Sequence, residues 1–274
     1  MKEREHKKAE LKESAKKNRA LVISYSALTL FVLLALVRSV MLGKIENAFL
    51  CILTLLMFAL PSIVKKAFHL EMPNALEILV LVFIFAAEIL GEISNFYVNI
   101  PFWDTLLHTT SGFIFAAFGF SVIDVLNRDA RVKFSLSPIY VCLFAFCFAM
   151  TVGVLWEFFE FGVDNILNKD MQKDTVITGF NSTLLDTTFK NVPVPVRDIT
   201  DTAVNGASLG VDGYLDIGLY DTMEDLLVNF VGSVVFCIIG FFFLKHRGEG
   251  KIANKFIPTL KEETQKKKEY ENKI

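Results

Sequence analysis

Four stretches of this chain, residues 20–37, 47–64, 134–156 and 226–244, run for 18 to 23 residues without a charged side chain. A bilayer core about 30 Å thick is crossed by about 20 mostly apolar helical residues, so each stretch has the length and composition of a membrane span. Two weaker stretches fit the same template. Residues 75–93 are interrupted by Glu77, Glu88 and Glu92, and residues 105–123 only by His108. The expected fold class is therefore all-α, a polytopic membrane bundle of six transmembrane helices. Composition agrees: 53% of the 274 residues are hydrophobic, 27 are Phe and only 21% are charged, which excludes a disordered or fibrous chain. The four cysteines, Cys51, Cys142, Cys147 and Cys237, sit inside apolar stretches with no CxxC spacing, and read as small hydrophobes.

Positive charge sets the orientation, because cytoplasmic flanks retain Lys and Arg. With the N-terminus inside, the N-tail, Lys65, Lys66, Arg128, Arg131, Lys133 and the C-tail share one side. Of the 28 basic residues this leaves only Arg38, Lys44, Lys169, Lys173, Lys190 and Arg197 on the other. Both termini are expected in the cytoplasm. The chain then divides into a basic N-tail (1–19), a six-helix membrane domain (20–244) and a basic C-tail (245–274). The first span is too long for a signal-peptide core and lacks a cleavage site, so it reads as a retained anchor. Residues 2–19 and 261–273 of these tails read as solvated helices near anionic headgroups, and no nucleic-acid partner is expected.

One connection is long. Residues 167–220, on the outer side, carry Pro193, Pro195 and several glycines, and such loops are either functional lids or loose insertions. Asn181-Ser182-Thr183 is a glycosylation sequon there, and Gly206-Ala207-Ser208-Leu209-Gly210 matches Gly-x-Ser-x-Gly without the α/β sheet that motif requires.

Acidic residues gather at the outer ends of the spans. Glu88 and Glu92 end the third, Asp104 and His108 begin the fourth, Glu157, Glu160 and Asp164 end the fifth, and Asp221, Glu224 and Asp225 begin the sixth, with Asn229 one turn deeper. Residues three, four, seven or eight apart share a helix face. Asp104/His108, Glu157/Glu160/Asp164 and Asp221/Asp225/Asn229 thus form three polar stripes, while Gly112 and Gly232 extend two of them where helices would approach closely. Like charges and burial both oppose ionisation, so these carboxylates need protons, water or a cation. Hard oxygen donors with one imidazole suit Mg²⁺, Mn²⁺, Zn²⁺ or Ca²⁺. The expected metal ligands are Asp104, His108, Glu157, Asp221 and Asp225, the expected catalytic carboxylates Glu160 and Asp164, and Glu88 and Asn229 complete the polar site. The cofactor expected is a divalent metal ion.

These stripes carry a resemblance. Trp103-Asp104-x-x-x-His108-x-x-x-Gly112, Trp156-Glu157-x-x-Glu160 and Tyr220-Asp221-Thr222-x-x-Asp225-x-x-x-Asn229-x-x-Gly232 resemble the polar pattern of YjdF-type bacterial membrane proteins. The Asp-x-x-x-His and Asp-x-x-x-Asn-x-x-Gly parts are also similar to VanZ-like proteins. The resemblance covers about the fourth to sixth spans and implies a multi-pass bacterial inner-membrane protein with an envelope link. It brings no defined reaction.

Three functions remain open on this reading. One is a metal-assisted hydrolase or transferase acting on a lipid or envelope-precursor substrate, with the bilayer as its medium. The second is a cation- or proton-coupled transporter, which would need polar residues deeper in the spans than segments 113–118, 141–146 and 234–239 provide. The third is a non-catalytic envelope accessory protein.

Overall fold

A computed structural model of the chain describes residues 2–128, 136–246 and 253–260. Arg131, Lys133, the start of the fifth apolar stretch at Phe134 and most of the C-tail lie outside the described residues, as do the side chains of residues 1–18. The chain is mostly helical. Its helices are α1 (Lys2–Met41), α2 (Ile45–Met57), α3 (Leu60–Ala67), α4 (Asn74–Phe85), the short α5 (Phe96–Asn99), α6 (Trp103–Arg128), α7 (Pro138–Leu167) and α8 (Leu219–Lys245).

Among the described residues five segments are long and apolar enough to cross a membrane: Arg19–Met41, Ile45–Ala67, Trp103–Asn127, Pro138–Leu167 and Leu219–Lys245. The second joins α2 and α3 across a tight step at Phe58, with Pro61 in the first turn of α3, where its missing N–H costs nothing. The expected third span, 75–93, is not among the five. Its helix changes type: α4 stops at Phe85 and a π-helix runs from Ala86 to Ile93, closing with the Ser94 N–H donating to the Ile89 carbonyl at 3.0 Å. Three glutamates and a change of helical pitch replace the long uniform cylinder that hydropathy alone suggested.

Two compact units are distinguished. The first comprises Met1–Gly153 with Val228–Ile274, and the second Val154–Leu227. The first unit has two apolar cores. One gathers Leu76, Ala116, Ala117, Phe120, Val141, Ala145 and Phe236, and the other Val32, Cys51, Leu81 and Ile84. The C-terminal segment joins the first of these. Ala253–Lys255 forms a 3₁₀ turn, Ile257 is buried, and β8 (Thr259–Leu260) pairs antiparallel with β1 (Leu70–Glu71). Residues 261–273, expected as a solvated helix, lie outside the described residues, while Ala253, Phe256 and Ile257 supply enough apolar surface to hold residues 253–260 against the core.

The second unit contains the ends of α7 and α8 and, between them, short antiparallel pairs in place of a structureless loop. β2 (Thr175–Ile177) pairs with β7 (Tyr214–Asp216), β3 (Phe180–Ser182) with β4 (Val194–Val196), and β5 (Ala203–Val204) with β6 (Ala207–Ser208). The expected all-α class therefore needs this correction. β5 and β6 are joined by Asn205-Gly206 at φ 53° and 81°, the positive pair that a two-residue hairpin turn demands.

Candidate functional site

Glu157 and Glu160 lie three residues apart on α7, on one face, and Asp225 comes from the first turns of α8. Carboxylate oxygens of the three lie within 4.8 Å of one another. All are buried: Glu157 is 4% exposed, Glu160 7% and Asp225 3%. At that separation and an effective dielectric of about 20, each ionised pair repels by roughly 3 kcal/mol. Part of the set is anchored. The Trp156 indole N–H donates to Glu160 Oε1 at 2.9 Å. Glu157 is different: neither carboxylate oxygen has a hydrogen-bond partner among the described residues, although Thr222 and Gln172 are its polar neighbours. A buried carboxylate without a partner costs several kcal/mol, and a cation or a proton removes that cost. Three hard oxygen donors at this spacing match the chemistry of Mg²⁺, Mn²⁺ or Ca²⁺ better than that of a thiolate-seeking metal.

Around the trio the start of the loop is strapped to both helix ends. The Asp164 carboxylate accepts the backbone N–H groups of Met171 and Gln172 at 2.6 and 2.9 Å. Gln172 Nε2 donates to Thr222 Oγ1 at 2.5 Å, and the Lys173 N–H donates to Asp221 Oδ2 at 2.7 Å. Gly218, at φ 96°, closes the strap, because a Cβ there would stand 2.7 Å from the Gln172 Cβ. Asp164 and Asp221, singled out by spacing as a catalytic acid and a ligand, thus hold backbone amides that would otherwise lack partners. Outside the membrane segments, burial and the neighbouring Asp170 and Asp216 raise the Asp174 carboxyl above its ordinary range.

The remaining polar residues belong to the first unit. Asp104 Oδ1 and His108 Nε2 lie 3.5 Å apart, one turn apart on α6. Asn229 is 1% exposed. Its amide donates to the Ala149 carbonyl at 3.4 Å, its Oδ1 accepts from Ser111 Oγ at 3.3 Å, and Ser233 Oγ donates to the Asn229 carbonyl at 2.8 Å. It works as a cross-link between helices. The glycines expected at this level are needed for it: a Cβ on Gly112 would stand 2.2 Å from the Asn229 carbonyl oxygen, and one on Gly232 1.9 Å from that of Thr109. Glu88 sits half-buried in the π-helix beside Glu92.

Spacing alone missed one polar group. Glu77, which the sequence shows only as an interruption of the third stretch, is 2% exposed, and Lys65 Nζ donates to both its oxygens at 2.8 Å while the Tyr25 hydroxyl adds a third bond at 3.1 Å. The sequence signal was that Lys65 ends one apolar stretch and Glu77 falls near the start of the next.

A family profile described as "Predicted membrane protein (DUF2238)" matches residues 23–246. An uncharacterized protein of Thermotoga maritima is 31% identical over 130 residues, 47% of this chain and 62% of that protein, so the chain spans less than two thirds of that relative's length. No solved structure matches.

Proposed function

We propose, for a chain that belongs to the DUF2238 family of predicted membrane proteins, a metal-assisted hydrolase or transferase acting on a lipid or envelope-precursor substrate. The observation that carries this reading is the Glu157–Glu160–Asp225 trio, three buried carboxylates within 4.8 Å with Glu157 unpartnered at both oxygens. Glu157 and Asp225 are assigned as ligands of a divalent cation. Such a cation lowers the pKa of a water that it binds and polarises a carbonyl or phosphoryl oxygen. Glu160, oriented by the Trp156 indole, takes the proton. This set is narrower than the one expected from spacing, since Asp221, expected as a ligand, and Asp164, expected as a catalytic acid, already serve the loop strap.

The topology that goes with this reading has α4 and the π-helix as a sixth crossing, both termini in the cytoplasm of a bacterium and the second unit on the envelope face of the inner membrane. The placement of Lys and Arg supports it. The likeness of the Asp221–Gly232 motif to VanZ-like proteins belongs to the same proposal. The test is turnover by the purified full chain in proteoliposomes supplied with Mg²⁺ or Mn²⁺ and isotopically labelled phospholipids, glycolipids and polyprenyl-linked sugars, with products read by mass spectrometry. Turnover of one class, abolished by chelation and by Glu157→Gln, is the expected result. Failure of every class to show metal-dependent turnover overturns the reading.

A further inference from the structure

Between β3 and β4 the chain makes a tip, residues 183–193, whose apolar side chains point into solvent. Leu184 is 92% exposed and Phe189 95%, with Leu185 and Val192 about half exposed. The tip is clamped. Asp186 Oδ1 accepts the Thr188 N–H at 2.8 Å and its hydroxyl at 2.6 Å, and Oδ2 accepts the N–H groups of Lys190 and Val192 at 2.9 and 3.1 Å. The Asp186 N–H returns to the Thr183 carbonyl at 3.1 Å, and Ser182 Oγ accepts the Leu184 N–H at 3.2 Å. The same clamp holds Phe189 at φ 56°. A bulky aromatic is an outlier in that region, and such strain persists only where its surroundings over-determine it. Here the result is an aromatic ring displayed outward beside a displayed leucine.

We propose that this tip, through Leu184 and Phe189, inserts into the bilayer leaflet on its own side of the membrane. Both ends of the loop are tethered to spans, so that leaflet is an apolar phase the tip meets continuously. The Asp186 charge is consumed by four internal donors, which leaves the exposed Lys190, next to Phe189, as the charge at the apolar surface. An apolar tip flanked by an ammonium suits an acyl boundary with phosphates above it. A protein partner fits less well. An aromatic ring buries up to about 250 Å² and a leucine less, against the roughly 1,200 Å² of a stable protein interface.

The test uses nitroxide-labelled Phe189→Cys and, separately, Leu184→Cys, each in full-length Cys147→Ser protein in liposomes containing anionic lipid. Label on the same background without the added cysteine sets the zero. Insertion gives a collision rate with oxygen several-fold above that with a water-soluble nickel chelate at both positions. Ready access of the chelate at both overturns the proposal, and shielding from both reagents overturns it in favour of a protein contact. The outcome is independent of whether Glu157 binds metal.

Discussion

Gly232→Ala is the most calculable perturbation of the frame that carries Asn229. The added Cβ would stand 1.9 Å from the Thr109 carbonyl oxygen, 2.9 Å from its carbon and 3.1 Å from the Phe113 nitrogen, all backbone atoms that no rotamer change can move. Ordinary contact is about 3.5 Å, so α8 must retreat from α6 by roughly 1.5 Å. Overpacking costs about 1–3 kcal/mol where side chains can give, and this site belongs at the upper end. Against it stands about 1 kcal/mol of helix propensity gained by replacing Gly. The net loss is about 2 kcal/mol, or a fall in Tm of roughly 4–8 °C for a chain of this size. Gly162→Ala on α7 is the control. Nothing lies within 4 Å of its Cβ position, so propensity alone acts and Tm holds or rises slightly. Melting followed by fluorescence-detected gel filtration in detergent reads both variants. Equal melting temperatures for Gly232→Ala and Gly162→Ala would refute the backbone-contact reasoning.

Removing one partner of the buried Lys65–Glu77 pair by Lys65→Met leaves a carboxylate 3% exposed and should cost about 3 kcal/mol, while adding Glu77→Met should restore the melt to within about 1 kcal/mol of the parent. If the double variant melts as low as the single, the pair is not what Glu77 needs. Asn229→Ala should lose about 1–2 kcal/mol in the same melt through its interhelical bonds and a small cavity, and an unchanged Tm would contradict the cross-link. Hydrogen bonds from Thr188, Val192 and Lys190 hold the Asp186 carboxyl at about 2, below the ordinary 3.9 or so of an aspartate. Because the folded value is the lower one, the clamp contributes in full above pH 4 and is lost as pH falls through about 2. Pepsin nicking at Leu184 and Phe189, taken relative to Asp186→Ala, should stay low at pH 3 and rise towards parity near pH 1.5. Parity already at pH 3 would show that the clamp contributes nothing.

The spans were legible because length and absence of charge are one-dimensional signals, and α1, α2 with α3, α7 and α8 cover the stretches where these signals are cleanest. Glu157 and Glu160 were legible as a pair because residues three apart share a helix face. What failed to show was whatever depends on partners distant in the chain. Lys65 and Glu77 meet across α3 and α4, which no helical period encodes. Strands of two or three residues are too short for alternation to register, so β2 to β7 went unseen. Asp164 and Asp221 looked like free acids because a sequence does not reveal which backbone amides a loop brings to them. The C-terminal stretch around Ile257 was hidden by the Lys-rich residues that follow it.

The central claim is that Glu157 and Asp225, beside Glu160, hold a divalent cation. Metal content by mass spectrometry, on full-length protein purified without chelator and dialysed against Mn²⁺ beside a Glu157→Gln variant of equal Tm, measures this most directly. About one ion per chain in the parent and almost none in the variant is the predicted result. Equal content in the two, or none in either, contradicts it.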